Sequence, residues 1–249
     1  MKKEEDMFFG FFWGDWTIFL LVPAMIFALI AQARVQSTFK KYDRVSSQRR
    51  ITGADVARRI LDNNGLHDVK IEYVRGHLSD HFDPRTNVIR LSDATYGSTS
   101  VAAIGVAAHE AGHAVQYATG YAPIKLRSKI IPVTQFGSRL ALPLFFIGLL
   151  LVGFGSIDPV IGEFMMFGGI ILFSLSTLFQ LVTLPVEFNA SSRALRTLEE
   201  SEILYKDEIS GAKAVLDAAA MTYVAALATS LAYILRFIFI AAGASGRRR

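Results

Sequence analysis

Apolar residues in this chain fall in long unbroken runs rather than in the short periods of elements half-exposed to water. Phe8 to Ala33 contains a single charged residue, Asp15, and Ala218 to Ala244 contains only Arg236. Leu140 to Val186 carries just Asp158 and Glu163, and is long enough for two crossings of about 20 residues each. These runs predict four membrane-spanning helices. Between the first and second the pattern changes. Thr52-Gly53-Ala54-Asp55 resembles a helix capping box with Asp in place of Glu, and the helix it opens runs through Val56, Ile60 and Leu61 to Asn64-Gly65. Val69 to Val74 and Asn87 to Leu91 alternate as strands, on either side of a turn-rich stretch from Gly76 to Pro84. Ser98 or Ser100 then caps an apolar helix that ends at Gly120, with Pro123 beyond. No repeat or low-complexity tract interrupts this order. It predicts a mostly α membrane protein carrying a small α+β domain.

Charge orients the spans. From Arg34 to Ser138 the chain holds 15 Lys and Arg against 9 Asp and Glu, and six of the 15 follow the first span closely. The positive-inside tendency puts this segment in the cytoplasm. The turn around Asp158-Pro159 has no Lys or Arg and falls outside, and Glu187 to Asp217, with four, returns inside. Arg247-Arg248-Arg249 then lies outside, against the tendency, although a short tail weighs less than a large loop. The net charge of +4 therefore reports membrane orientation and not nucleic-acid binding. Ala31-Gln32-Ala33 looks like a signal-peptidase site. Two Lys against three acids in Met1 to Met7, and an apolar run longer than a signal core, favour an uncleaved anchor. Aromatic residues at Phe8-Phe9, Phe11-Phe12-Trp13 and Trp16 suit an interfacial belt. Glycines at 148, 153, 155, 168 and 169 permit close span packing. The implied layout is an anchor over 1–36, a cytoplasmic segment over 37–138, a membrane hairpin over 139–186, a cytoplasmic helix over 187–217, and a last span with tail over 218–249. The expected location is the plasma membrane, with the bilayer as one partner.

Chemistry concentrates in His109-Glu110-Ala111-Gly112-His113. Two His side chains four apart on a helix lie one above the other on one face, so both can bind one tetrahedral cation. The Glu beside the first is placed to act on an activated water. With 5 His in 249 residues, chance supplies roughly 0.004 such matches. The helix holding the motif, Val101 to Ala118, is apolar, but three potentially charged residues at its centre make it costly in lipid. A buried helix beside the membrane fits better. Zero Cys excludes thiolate ligands and disulfides.

A catalytic zinc usually has three protein ligands plus water. His67, His77, His81 and the remaining carboxylates are candidates for the third. Glu187 stands out because it opens a helical stretch after a span and Pro185, and two crossings return it to the motif's side. Its other reading is a solvated carboxylate at a helix start. His77 and His81 are four apart, but Gly76 and Pro84 bracket them in turns, so surface roles suit them. His67 is read as solvated. Tyr223, Arg193 and His81 are candidates for stabilising an oxyanion. Asn87 to Leu91 is a candidate sheet edge for a bound peptide, or else an ordinary strand.

The motif HEAGH, the later VEFNASSRAL and the earlier DHFDPRTNVIRL together resemble the YugP-type membrane zinc metallopeptidases of bacteria, distant relatives of the HtpX gluzincins. The resemblance spans nearly the whole chain, including the four-span layout. It implies a gluzincin-like domain with one zinc ion per chain, His109, His113 and Glu187 as ligands, and Glu110 as catalytic base. The HtpX pattern has Asp four residues after its third ligand, orienting a His; here that place is Ser191, which shares Glu187's face and would orient a ligand without charge. The implied activity is endopeptidase cleavage of membrane-associated or misfolded proteins and peptides. Two rival readings are a zinc-binding scaffold that cleaves nothing and a protease whose motif lies within lipid. Glu110 argues against the first, because a structural site has no use for a base beside its ligand.

Overall fold

The computed structural model describes residues 16–154 and 159–246. The aromatic residues before Trp16, the turn at Asp158, Gly155 and the terminal arginines lie outside the described residues. A 3₁₀ turn at Trp16–Leu20 leads into α1 (Leu21–Asp43), followed by α2 (Gly53–Asn63), β1 (Lys70–Tyr73), β2 (His81–Asp83) and β3 (Val88–Leu91). Then come α3 (Val101–Ala118), α4 (Ala122–Phe154), α5 (Pro159–Glu200) and α6 (Lys206–Gly246). Among the described residues four helices are long and apolar enough to cross a membrane: Trp16–Asp43, Ala122–Gly153, Val160–Glu200 and Lys206–Ala244. The protein is a mostly helical membrane protein with a small α+β domain.

The chain forms two compact units. One comprises Met1–Leu29, Ile130–Leu181 and Ala225–Arg249. Its core is built from Phe145, Val152, Met166, Ile170 and Phe237, with Phe145 and Phe237 stacked at 4.6 Å. Its outer residues are just as apolar: Phe19 is 70% exposed and Phe164 74%, the surface of a protein whose solvent is hydrocarbon. Gly148 and Gly162 let α4 and α5 touch, since a Cβ on Gly148 would sit 2.5 Å from the Gly162 carbonyl oxygen. Gly169 is also tight, 2.8 Å from the Ala141 oxygen, whereas among the described residues nothing lies within 4 Å of a Cβ built on Gly153.

The second unit, Ile30–Lys129 with Val182–Val224, holds all the candidate chemistry. Thr52 caps α2 by accepting from the Asp55 N–H and donating to the Asp55 carboxylate at 2.5 Å. Helix α3 packs on α2 and on the sheet through Val56, Ile60, Leu61, Ile89, Leu91, Val101 and Ile104, all buried. The strand order is β1-β3-β2, with β1 parallel and β2 antiparallel to β3. This corrects one expectation: Asn87 to Leu91 is not an edge but leads into the central strand. Val88, Ile89 and Leu91 are all buried, as residues covered on both faces are. The edge beside α3 is β2, hidden in the turn-rich stretch because three residues are too few to show alternation. Its hairpin to β3 closes through Asp83, which accepts from the Arg85 N–H and the Thr86 hydroxyl, and through Asn87 at φ 56°.

A second correction concerns Glu187. It does not open a helix. Helix α5 runs unbroken through Pro185, which sacrifices only one intrahelical hydrogen bond, and Glu187 lies well inside it. The helix-start reading of this carboxylate is therefore removed.

Candidate metal centre

Helix α3 begins at Ser100, whose hydroxyl accepts from the Ala103 N–H at 3.1 Å and donates to Asp43. Its first turns are fully buried, and the motif follows two turns later. His109 and His113 stand edge to face with ring centres 4.6 Å apart. Gly112, between them, makes room for α5: a Cβ there would lie 2.9 Å from the Ala190 carbonyl oxygen. This close approach carries Glu187 to the histidines.

Glu187 is buried, and its Oε2 lies 3.2 Å from His109 Nε2 and 3.4 Å from His113 Nε2. The three donor atoms all lie within 4.8 Å of one another. Zinc bonds of about 2.0–2.1 Å at tetrahedral angles separate neighbouring donors by about 3.3 Å. The two nitrogen–oxygen distances match that edge, so the residues fit a zinc ion. Glu187 Oε1 is held separately, accepting from Arg127 Nη1 at 2.9 Å. One carboxylate oxygen is thus fixed by a cation and the other faces the imidazoles.

Behind each ring a polar group meets the remaining nitrogen. Ser191 Oγ is 3.1 Å from His109 Nδ1, and Gln116 Oε1 is 3.0 Å from His113 Nδ1. Burial pushes the pKa of His113 down, but the hydrogen bond to Glu187 and the charges of Glu110 and Glu187 outweigh it, and the net direction is up. Glu110 is buried beside the site, with Oε2 accepting from the Phe82 N–H at 2.9 Å. That N–H points away from β3, so the edge strand and the candidate base are tied together.

Of the other predicted residues, Tyr223 on α6 comes within electrostatic reach of Glu187, Glu110 and Arg127. Arg193 is directed elsewhere, donating from Nε to Asn189 Oδ1 at 2.8 Å. His81 is exposed against the Ser79 carbonyl, His77 packs on Phe39, and His67 pairs with Asp62. None of these joins the cluster. No spacing in the sequence marks Gln116, Asn189 or Arg127. The available signals were one uncharged polar residue in an apolar helix, for Gln116, and one cation within the flank Lys125, Arg127, Lys129.

In this helical membrane protein two imidazoles and a carboxylate converge inside the α+β unit, a donor set that could hold a metal ion. A family described as "putative neutral zinc metallopeptidase" matches residues 17–242, and the chain belongs to that family. It is 49% identical over 223 residues to the protein named "Putative membrane protease YugP" of Bacillus subtilis (strain 168), covering 90% of this chain and 95% of that protein. No solved structure matches it.

Proposed function

We propose that this chain is a zinc-dependent endopeptidase of the gluzincin type, embedded in the plasma membrane with its centre facing the cytoplasm. His109, His113 and Glu187 would hold one zinc ion, which when bound supplies Lewis-acid activation of water and of the scissile carbonyl. Glu110 would take the proton of the attacking water as the C–O bond forms and return it to the nitrogen as the C–N bond breaks, so the leaving group departs as an amine and not as an amide anion. The Phe82 N–H fixes one oxygen of Glu110 and leaves the other for that proton. Tyr223, within electrostatic reach of the same carboxylates, would donate its hydroxyl to the developing oxyanion.

A peptide laid along the outer side of β2 would be gripped through backbone groups other than the Phe82 N–H that Glu110 holds, with little demand on its side chains. Such recognition suits flexible or unfolded segments, in keeping with membrane-associated or misfolded substrates. The cytoplasmic orientation rests on the excess of Lys and Arg between Arg34 and Ser138.

The observation that carries the proposal is a single carboxylate oxygen at 3.2 and 3.4 Å from two histidine Nε2 atoms, with Glu110 alongside. Detergent-purified protein should contain zinc and cleave an unstructured peptide. Glu110→Gln should keep the zinc and lose about 10²- to 10⁴-fold in rate. Cleavage at the wild-type rate by that variant would overturn the catalytic role, and zinc without any cleavage in either protein would favour a scaffold.

A further inference from the structure

We infer that Gln116 is a positioning residue for the metal centre: its amide carbonyl keeps a proton on His113 Nδ1 and so leaves Nε2, the nitrogen on the Glu187 side, as the one that offers a lone pair to a cation. The role presupposes the metal site proposed above.

The amide's orientation follows from its partners. Gln116 is fully buried, and its Nε2 lies 2.9 Å from the Val186 carbonyl oxygen, which can only accept. The same Nε2 is 3.0 Å from Asn189 Oδ1, and that atom accepts from Arg193 Nε, which can only donate. Two obligate partners therefore place the nitrogen of Gln116 toward α5. Its oxygen must face His113 Nδ1 at 3.0 Å, and an oxygen there requires a hydrogen on Nδ1. Nε2, 3.4 Å from Glu187 Oε2, is then the nitrogen that loses its proton when a cation binds.

The chain of constraint runs Arg193, Asn189, Gln116, His113, with Val186 as a second anchor. Val186, Asn189 and Arg193 lie at i, i+3 and i+7, on one side of α5. Glu187 and Ser191 follow at i+1 and i+5, on the neighbouring side. One helix thus supplies the carboxylate and also locks the histidine opposite it. Ser191 serves His109 less strictly, because a hydroxyl can rotate between donating and accepting. Without Gln116, His113 would sample both tautomers in a buried site, and binding a cation would have to select one of them.

The test uses full-length detergent-purified protein, with zinc affinity measured by chelator competition and melting followed with and without zinc. Gln116→Met preserves length and volume but offers no oxygen. It should weaken zinc binding about 10- to 100-fold and shrink the zinc-induced rise in Tm. Gln116→Glu keeps an acceptor for Nδ1–H while losing both donors to α5. It should lower the melting of the zinc-free protein more than Met does, yet hold zinc within about threefold of wild type. A residue that merely fills space gives the opposite ranking, with Met near wild type in affinity and Glu the weakest. That ranking overturns the role. Should the Met variant not fold, Asn189→Ala removes one anchor from a half-exposed position and should give a smaller loss; unchanged affinity there counts equally against it. Zinc absent from wild type, or retained by His113→Ala, would instead bring down the metal-site reading itself.

Discussion

Helices α3 and α5 meet at the centre, but they bring their groups there by different means. On α3, one turn of helix sets His109 and His113 on a common face, so two proposed ligands and the base come from a five-residue word. On α5, Glu187 stands 78 positions beyond His109, well inside a 42-residue helix, and no spacing within its own segment pairs it with the histidines. Its approach depends on Gly112, whose missing side chain lets the Ala190 carbonyl come close. The lesson is that the histidine pair is set by the geometry of α3 alone, whereas the carboxylate reaches it only while α3 and α5 stay in contact.

The largest effect should come from α3. His113→Ala is expected to abolish zinc content and cleavage together, measured by metal analysis and peptide hydrolysis; full activity would remove the site. On α5, Glu187→Ala should weaken zinc binding by more than the 10- to 100-fold typical of an outer partner. Glu202→Ala, an exposed carboxylate of α5's C-terminal turn region paired with Arg49, should change nothing. Equal zinc retention in these two variants would move the third ligand elsewhere. Gly112→Ala attacks the contact itself. The added methyl meets backbone and should cost about 1–3 kcal/mol in chemical denaturation, with weaker zinc binding although every proposed ligand is intact. Normal affinity in that variant would show that the helices can part without losing the site. The smallest effect is expected from Ser191→Ala, about tenfold or less in zinc affinity, and smaller than the loss in Gln116→Met. The orientation of the whole unit can be checked separately. Because the chain has no Cys, a single Arg85→Cys label on the β2–β3 hairpin should react with an impermeant maleimide only after cells are opened.

Much of the fold was legible because its causes are local. Lengths of uncharged apolar sequence set four long helices, and Thr52 and Ser100 mark helix starts through hydroxyls that accept a backbone N–H three residues on. The errors arose where neighbours decide. Pro185 suggested a helix boundary, yet a proline inside a long packed helix costs only one hydrogen bond and a bend that tertiary contacts repay. His81 to Asp83 looked like part of a turn, because whether three residues form an edge strand depends on β3 lying alongside. By sequence Arg127 is one of three flanking cations, and only the fold sets it 2.9 Å from Glu187 Oε1.

By itself the sequence determined the four apolar helices, the small α+β domain and the two-histidine face with its adjacent glutamate. Each follows from spacing or composition within one segment, and helical geometry converts such spacing directly into position. Only the tertiary structure decided how Glu187 reaches the histidines, which strand forms the edge at Glu110, and which amide fixes the tautomer of His113. Those choices depend on distances between segments far apart in the chain, and such distances are set by close packing at Gly112 and Ala190 rather than by any local rule.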